Sequence, residues 1–343
     1  MRRWAAPKPN TAALRREGSP MTRINRRTAT LSVGLALGST WAASAWAQER
    51  TVRFILPNAT GSGVDAITRT AQPALAKALG APVIVENQPG AGGIVGIQAL
   101  ARSAPDGLTL SVVSNNVVIF PSVYKSLPFD LLIDVTPIAI CGYTPIVLVV
   151  NAKLAAQNSR ELVALLKARP REINFGSGGN GTILHLAGEM YNEEAGVKAT
   201  HVPYKGVGPM LTDLIGGQIQ YAAVALPSVQ QHLKTGALRA IGVGTAQRLP
   251  AAPDIPTIAE QGLPGYVVEA WFAVLAPKNL PPAEVTRINA AVVAAFADPA
   301  VKEAMAKQGN VINVSTPEHA QSFFRSEMVK YAQLVKKAGI ELQ

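Results

Sequence analysis

Cysteine is almost absent from this chain of 343 residues, where Cys141 stands alone. An internal disulfide is therefore excluded. As a nucleophile Cys141 is a poor candidate, because it lies in the apolar run 137–150, where a packed structural thiol is the plainer role. Histidine is scarce too, and His185, His201, His232 and His319 show no metal-ligand spacing. Neither His-Glu-x-x-His nor Gly-x-Ser-x-Gly occurs, so the familiar zinc-protease and serine-hydrolase signatures are missing. Aromatic residues make up only 6% and charged residues 16%. Apolar residues reach 48%, which excludes disorder for most of the length and suits tightly packed strands and helices. The length is better matched to two compact lobes than to one core.

The body of the chain also lacks a cluster of positive charge. The formal net charge of +10 suggests nucleic acid at first sight. Eight of the 32 Lys and Arg residues, but one acid, fall within residues 1–47, leaving 24 basic and 21 acidic residues beyond them. Nucleic-acid binding needs cations gathered along a face, and a net of +3 spread over residues 48–343 does not supply it. No nucleic-acid partner is expected.

The basic leader has its own explanation. Arg23, Arg26 and Arg27 precede a charge-free stretch, 28–47, that ends in Ala45-Trp46-Ala47. A small-x-small ending predicts signal-peptide cleavage after Ala47, a mature start at Gln48 and export to the periplasm. The competing reading is a membrane anchor. Ser, Thr and Gly interrupt the stretch, and its apolar centre is short for a bilayer span. No cysteine stands immediately after it to carry a lipid. Met21 offers an alternative start, and Arg26-Arg27 leaves twin-arginine export open beside the general route.

Strand-length apolar runs then alternate with helical patterns. Strands are expected at 52–56, 83–86, 108–114, 146–150, 173–175, 200–202, 219–224, 238–243 and 267–275. Helices are expected at 65–79, 159–168, 182–195, 209–215, 282–297, 300–307 and 317–337. This alternation predicts an α/β fold with parallel or mixed sheets covered by helices. The long strands at 146–150 and 267–275 bracket a middle section and are expected to be the crossovers between two lobes. The limits read from the sequence are a leader at 1–47, lobe 1 at 48–149 plus 272–343, and lobe 2 at 150–271.

Two glycine turns, each running from a strand into a helix, carry the chemistry. The first contains Asn58, Ala59, Thr60, Gly61, Ser62, Gly63 and Asp65; the second contains Ser177, Gly178, Gly179, Asn180, Gly181 and Thr182. Glycine allows close backbone approach, and a helix start presents unpaired N–H groups with partial positive charge. Anions settle there without a lysine or arginine. Gly176, Gly178 and Gly181 also satisfy Gly-x-Gly-x-x-Gly, the dinucleotide fingerprint. That site needs an acid after the following strand, where this chain has Pro203-Tyr204-Lys205. No cofactor and no metal are expected.

Several short motifs in fixed order carry a resemblance. They include the 57–65 turn, Glu86-Asn87-Gln88-Pro89-Gly90-Ala91-Gly92-Gly93, Ala104-Pro105-Asp106-Gly107 and Gly179-Asn180-Gly181-Thr182 with His185-Leu186-Ala187-Gly188-Glu189. His201-Val202-Pro203-Tyr204-Lys205-Gly206, the 211–217 segment, Leu263-Pro264-Gly265-Tyr266 and Trp271-Phe272 complete them. From about residue 51 to the C-terminus the chain resembles the extracytoplasmic solute receptors of the tripartite tricarboxylate transporter (Bug) family. The resemblance implies a two-lobed periplasmic binding protein of the Venus-flytrap, type II-like kind, with its ligand cleft between the lobes. It implies capture of a small organic carboxylate and delivery to a large and a small membrane subunit. The first turn is expected to hold a carboxylate partly through water, and the second to grip from the other lobe. Asn58 stands where the family usually has an aromatic residue, Ser62 where it has a second glycine, Val224 where many members have Asp, and Phe120 where Asn is frequent. Those departures point away from an amino-acid ligand.

The remaining candidates keep two readings each. Asp65 positions water or amides, or caps its helix. Ser114 and Asn115, with Asn116, end a strand where ligands of open sheets collect, or form a polar turn. Thr182 donates to a carboxylate or starts its helix, and His185 contacts the ligand or instead packs and supports the turn. Tyr204 and Lys205 reach the cleft or form a surface turn, and Trp271 belongs to the core. The expected protein is a monomeric binding protein without enzymatic activity. A ligand-sensing partner of a sensor kinase and, further behind, a secreted hydrolase are the alternatives.

Overall fold

The computed structural model describes residues 50–340 and Leu342. The leader and the expected cleavage after Ala47 lie outside the described residues.

The first half opens with β1 (Val52–Leu56), α1 (Gly63–Leu79) and β2 (Val83–Asn87), then α2 (Ile94–Ala101), β3 (Thr109–Ser114) and α3 (Asn116–Val123). Strand β1 pairs parallel with both β2 and β3. The reason α1 forms is local. Ser62 caps it by accepting from the Asp65 amide at 3.2 Å, Ile67, Ala71 and Leu75 recur on the buried face, and Gly80 ends it at φ +66°.

The second half holds α4 (Ser159–Ala168), β5 (Asn174–Ser177), α5 (Ile183–Ala195), β6 (Thr200–Pro203) and α6 (Val207–Gly216). Strand β7 (Tyr221–Ala225), α7 (Leu226–Lys234) and β8 (Leu238–Val243) follow. Strand β5 pairs parallel with β6 and β7.

Two strands tie the halves together. Strand β4 (Val135–Asn151) pairs antiparallel through Val135–Pro145 with β9 (Glu269–Pro277), and its end, Ile146–Asn151, turns to β7 and β8. The sheet order is β2-β1-β3-β9-β4-β7-β5-β6. Helices α8 (Pro282–Ala297), α9 (Pro299–Lys307) and α10 (Pro317–Lys337) close the chain, with the short β10 (Val311–Ile312) lying against β4. The result is the two-lobed α/β fold expected from the sequence.

The strand expected at 146–150 proves to be the last third of a 17-residue crossover. Pro137, Gly142 and Pro145 hide its first part, since proline and glycine ordinarily argue against a central strand. Register shifts between Pro137 and Ala139 and between Ile140 and Gly142 absorb them. Gly142 is required there, at φ +157°, because a β-carbon would collide with the Val311 carbonyl. Helices α2, α3 and α7 had no counterpart in the sequence reading. The first two are short and nearly all apolar, so they show no helical periodicity.

Candidate functional site

The strand order places the carboxyl ends of β1 and β3 on one side, and of β5 and β7 on the other, around a single cavity of about 430 Å³. Its floor is the crossover region, where Thr144, Ile146, Ala225 and Ala270 reach the surface of the void. This is the position ligands take in open α/β sheets, outside the carboxyl edge.

Six helices begin at its wall. Gly63 starts α1, the Gly90–Gly93 turn leads into α2, Asn116 starts α3, Thr182 caps α5, Gly206 precedes α6 and Ala225 precedes α7. The first amides of a helix have no intrahelical acceptor, and each start carries roughly half a positive charge. The caps consume only part of this capacity: Ser62 takes the Asp65 amide and Thr182 the His185 amide at 3.3 Å. Among the described lining residues there is no carboxylate, and Lys205, exposed at the rim, is the one cation. The field inside is therefore positive and supplied mainly by the backbone.

Ten of the residues expected at the site line this cavity: Asn58, Ala59, Gly63, Ser114, Gly178, Gly179, Asn180, Thr182, Tyr204 and Lys205. The other eight stand outside its lining. Thr60 and Gly61 are exposed, and Gly61 donates its amide to Asp65 Oδ2 at 3.0 Å. Ser62 faces the helix it caps. Asp65 is buried behind the turn, where its Oδ1 accepts from Arg69 Nε at 2.9 Å and Asn87 Nδ2 at 3.0 Å. Asp65 thus holds a loop amide, the first of its two readings, while the cap of α1 is Ser62 and not Asp65. Asn115 points into the body, donating to the Glu269 carbonyl and to Tyr331 Oη while accepting from the Trp271 amide.

Ser177, Gly181 and His185 form the back of the second turn. Ser177 Oγ lies 2.7 Å from His201 Nε2, and the Gly181 amide donates to His185 Nδ1 at 3.3 Å. The rings of His185 and His201 stack at 3.8 Å, 10° from parallel. Burial, and then the neighbouring His185, pull the His201 pKa down to about 3. Tyr204 donates its hydroxyl to Asp213 at 2.8 Å, and burial with that bond pushes its pKa to about 12, so it lines the cavity as a neutral ring. Burial likewise drives the Cys141 thiol up to about 12. Trp271 sits in the core with its Nε1 bonded to Glu327 at 2.7 Å. Among the described residues, no group of three His, Cys, Asp or Glu side chains is placed to hold a metal ion, and no helix is long and apolar enough to cross a membrane.

The two halves meet around the void. Asn116 Oδ1 accepts from the Ile183 amide at 2.8 Å, and Tyr124 donates to the Asn180 carbonyl at 3.0 Å. Gly92 lies so close to Asn180 that an added β-carbon would stand 2.9 Å from its carbonyl oxygen. Site reasoning from the sequence passed over the Gly90–Gly93 turn, Tyr124, Thr144 and Ile146. The turn had a signal: a run of glycine before a helix, with Ala91, Gly92 and Gly93 all at positive φ. For Thr144 and Ile146 there was none, because an alternating strand does not say which face meets a cavity.

A family model described as "Tripartite tricarboxylate transporter family receptor" matches residues 67–340. Protein BugT of Bordetella pertussis is 36% identical over 296 residues, covering 86% of this chain and 91% of BugT. Among solved structures, the periplasmic binding protein BugD superposes with a TM-score of 0.82 at 31% identity, covering 85% of this chain and 99% of BugD. Rpa4515 of R. palustris, solved with adipate, gives 0.83 at 29% identity, covering 87% and 100%. MatC of Rhodopseudomonas palustris, solved with malate, gives 0.79 at 28%, covering 83% and 98%.

Proposed function

The chain belongs to the tripartite tricarboxylate transporter receptor family, a family of periplasmic solute-binding proteins, and from that premise we propose that it captures a small organic carboxylate and delivers it to a large and a small membrane subunit. In this reading it is exported, its mature chain starts at Gln48, and it works as a monomer with no chemical step. The lobes are taken as 48–149 plus 272–343 and 150–271, swinging about the β4 and β9 crossovers.

One observation carries the proposal: helix starts from both halves open onto one cavity whose described walls hold no carboxylate. Hydrogen bonds to a charged group are worth about 1.5–3 kcal/mol each. A helix start adds about 0.3–1 kcal/mol. A few such bonds, divided between the lobes, hold an anion and favour the closed form at the same time, because only closure brings both sets of amides to it. The malate and adipate complexes of related proteins support a carboxylate as the ligand class.

A thermal-shift screen of mono-, di- and tricarboxylates, nicotinate and acidic amino acids tests this. A ligand that binds only the folded state raises the melting temperature with dose. Thr182→Ala removes the hydroxyl that donates to the Gly179 carbonyl at 2.8 Å and caps α5, which loosens the second turn, and is expected to shrink that shift. Lys336→Ala, on the exposed face of α10, should leave it intact. No response to any acid would reject the receptor reading, and equal responses from the two variants would remove Thr182 from the site.

A further inference from the structure

Five buried side-chain polar atoms lack a hydrogen-bond partner among the described residues, and two of them, Thr144 Oγ1 and Asn58 Oδ1, belong to residues lining the same cavity. Thr144 is the more telling. The residue is only 4% exposed, so no bulk water serves its hydroxyl. An unpaired buried hydroxyl is a standing loss of stability that an apolar residue of the same shape would avoid.

Its place in the sheet is also unusual. Thr144 pairs with Ala270 of β9, at the point where β4 leaves β9 and, from Ile146 onward, turns to β7. It therefore belongs to neither glycine turn and to no helix start. Side chains along a strand alternate in facing, so Thr144 and Ile146 share the side that meets the void, while Tyr143 lies against a different cavity on the other side. Around it the wall turns apolar, with Ile146, Ala225 and Ala270 as its neighbours.

We infer that Thr144 is a specificity-determining residue that reads a second oxygen function of the ligand on the cavity floor, apart from the carboxylate held by the two glycine turns. Its Oγ1 is occluded in this structure; binding in this way requires rotation about the Cα–Cβ bond to turn the hydroxyl to the void, where a carboxylate, hydroxyl or oxo group of the ligand completes it. The carbons between the two functions lie against Ile146 and Ala225. A ligand read in this way carries polar oxygen at both ends, as do the malate and adipate held by the related proteins. This rests on the carboxylate-receptor reading above.

The test uses three acids of equal length, hexanoate, 6-hydroxyhexanoate and adipate, titrated calorimetrically into the protein and its Thr144→Val variant. Valine keeps the shape and the strand preference, and removes only the oxygen. Adipate is expected to bind the parent more tightly than hexanoate and to lose about tenfold or more in the variant. 6-Hydroxyhexanoate should lose roughly two- to tenfold, as suits a neutral hydrogen bond. Hexanoate should change by less than about twofold. The variant without ligand should melt no lower than the parent, since its hydroxyl had no partner to lose. Equal effects on all three acids, no effect on adipate, or a lower melting temperature of the unliganded variant would each overturn the role of Thr144 while leaving carboxylate capture standing. Failure of the parent to bind any of the three at millimolar concentration, while another acid of the thermal-shift screen raises its melting temperature, would overturn this role and leave the receptor reading standing; only silence across that whole screen would reject both.

Discussion

If the proposed capture closes the two halves on the ligand, that closure depends on a glycine that the ligand need not touch. Gly206, in the turn before α6, sits at φ +138° and faces Ala59 of the first turn across the cleft. A β-carbon built on it falls within 3.0 Å of the Ala59 β-carbon. Two carbons rest at about 3.5–4.0 Å, so the overlap exceeds roughly half an ångström, and neither atom lies on a flexible arm. Overpacking of this kind costs about 1–3 kcal/mol. In Gly206→Ala the penalty exists only when the halves are together, so opening relieves it and the closed, ligand-holding form bears the whole of it. The expected result is a Kd raised by about 5- to 150-fold. A second penalty, for a non-glycine residue at that φ, weighs on open and closed forms alike and lowers the melting temperature instead. Two controls separate the effects. Gly196→Ala, at φ +61° with no atom within 4 Å of the new carbon, carries only the backbone strain and should leave Kd unchanged. Ala59→Gly combined with Gly206→Ala removes the colliding carbon and should restore Kd, since the next atoms of residue 59 stand at 3.7 and 3.9 Å. Calorimetry on any acid found by the thermal-shift screen provides the readout. A Gly206→Ala protein that binds like the parent, or a double variant as weak as the single, would refute this account of closure.

Two other expectations follow from the same geometry. Tyr124→Phe deletes the bond from its hydroxyl to the Asn180 carbonyl, worth about 0.5–1.5 kcal/mol, so Kd should rise by roughly two- to twelvefold, chiefly through faster release; an unchanged off-rate in stopped-flow measurements would contradict it. His201 is held neutral in the folded protein, its pKa lowered from 6.5 to about 3 by burial and then by His185. Between those values the unfolded chain binds a proton that the folded one refuses, so stability is greatest above about pH 6.5 and falls as pH falls toward about 3. His201→Gln should flatten that part of the melting-temperature profile, and a slope equal to the parent's would count against it.

Much of the lining of the candidate site was legible before any coordinates, and particular residues show why. A strand, a glycine turn and a capped helix are specified within about ten residues, so Asn58–Gly63 and Gly178–Thr182 announce themselves. Their caps, Ser62 and Thr182, sit where the pattern requires. Asn115 and Asn116 mark the limit. The pair is indistinguishable in sequence, yet one side chain is locked against Tyr331 and Trp271 and the other bonds the start of α5.

The linear chain thus determined the alternation of strands and helices, the two amide-rich turns and, through its motifs, the family. Those are short-range matters of periodicity, capping and backbone freedom, decided by neighbours along the chain. Only the tertiary structure decided that β4 runs unbroken through both halves, that the Gly90–Gly93 turn joins the cavity, and that the Thr144 hydroxyl on its wall is left without a partner among the described residues. Each of these depends on how closely segments far apart in sequence approach one another once the sheet is assembled. Such distances are fixed by packing and register across the whole fold, and no local pattern encodes them.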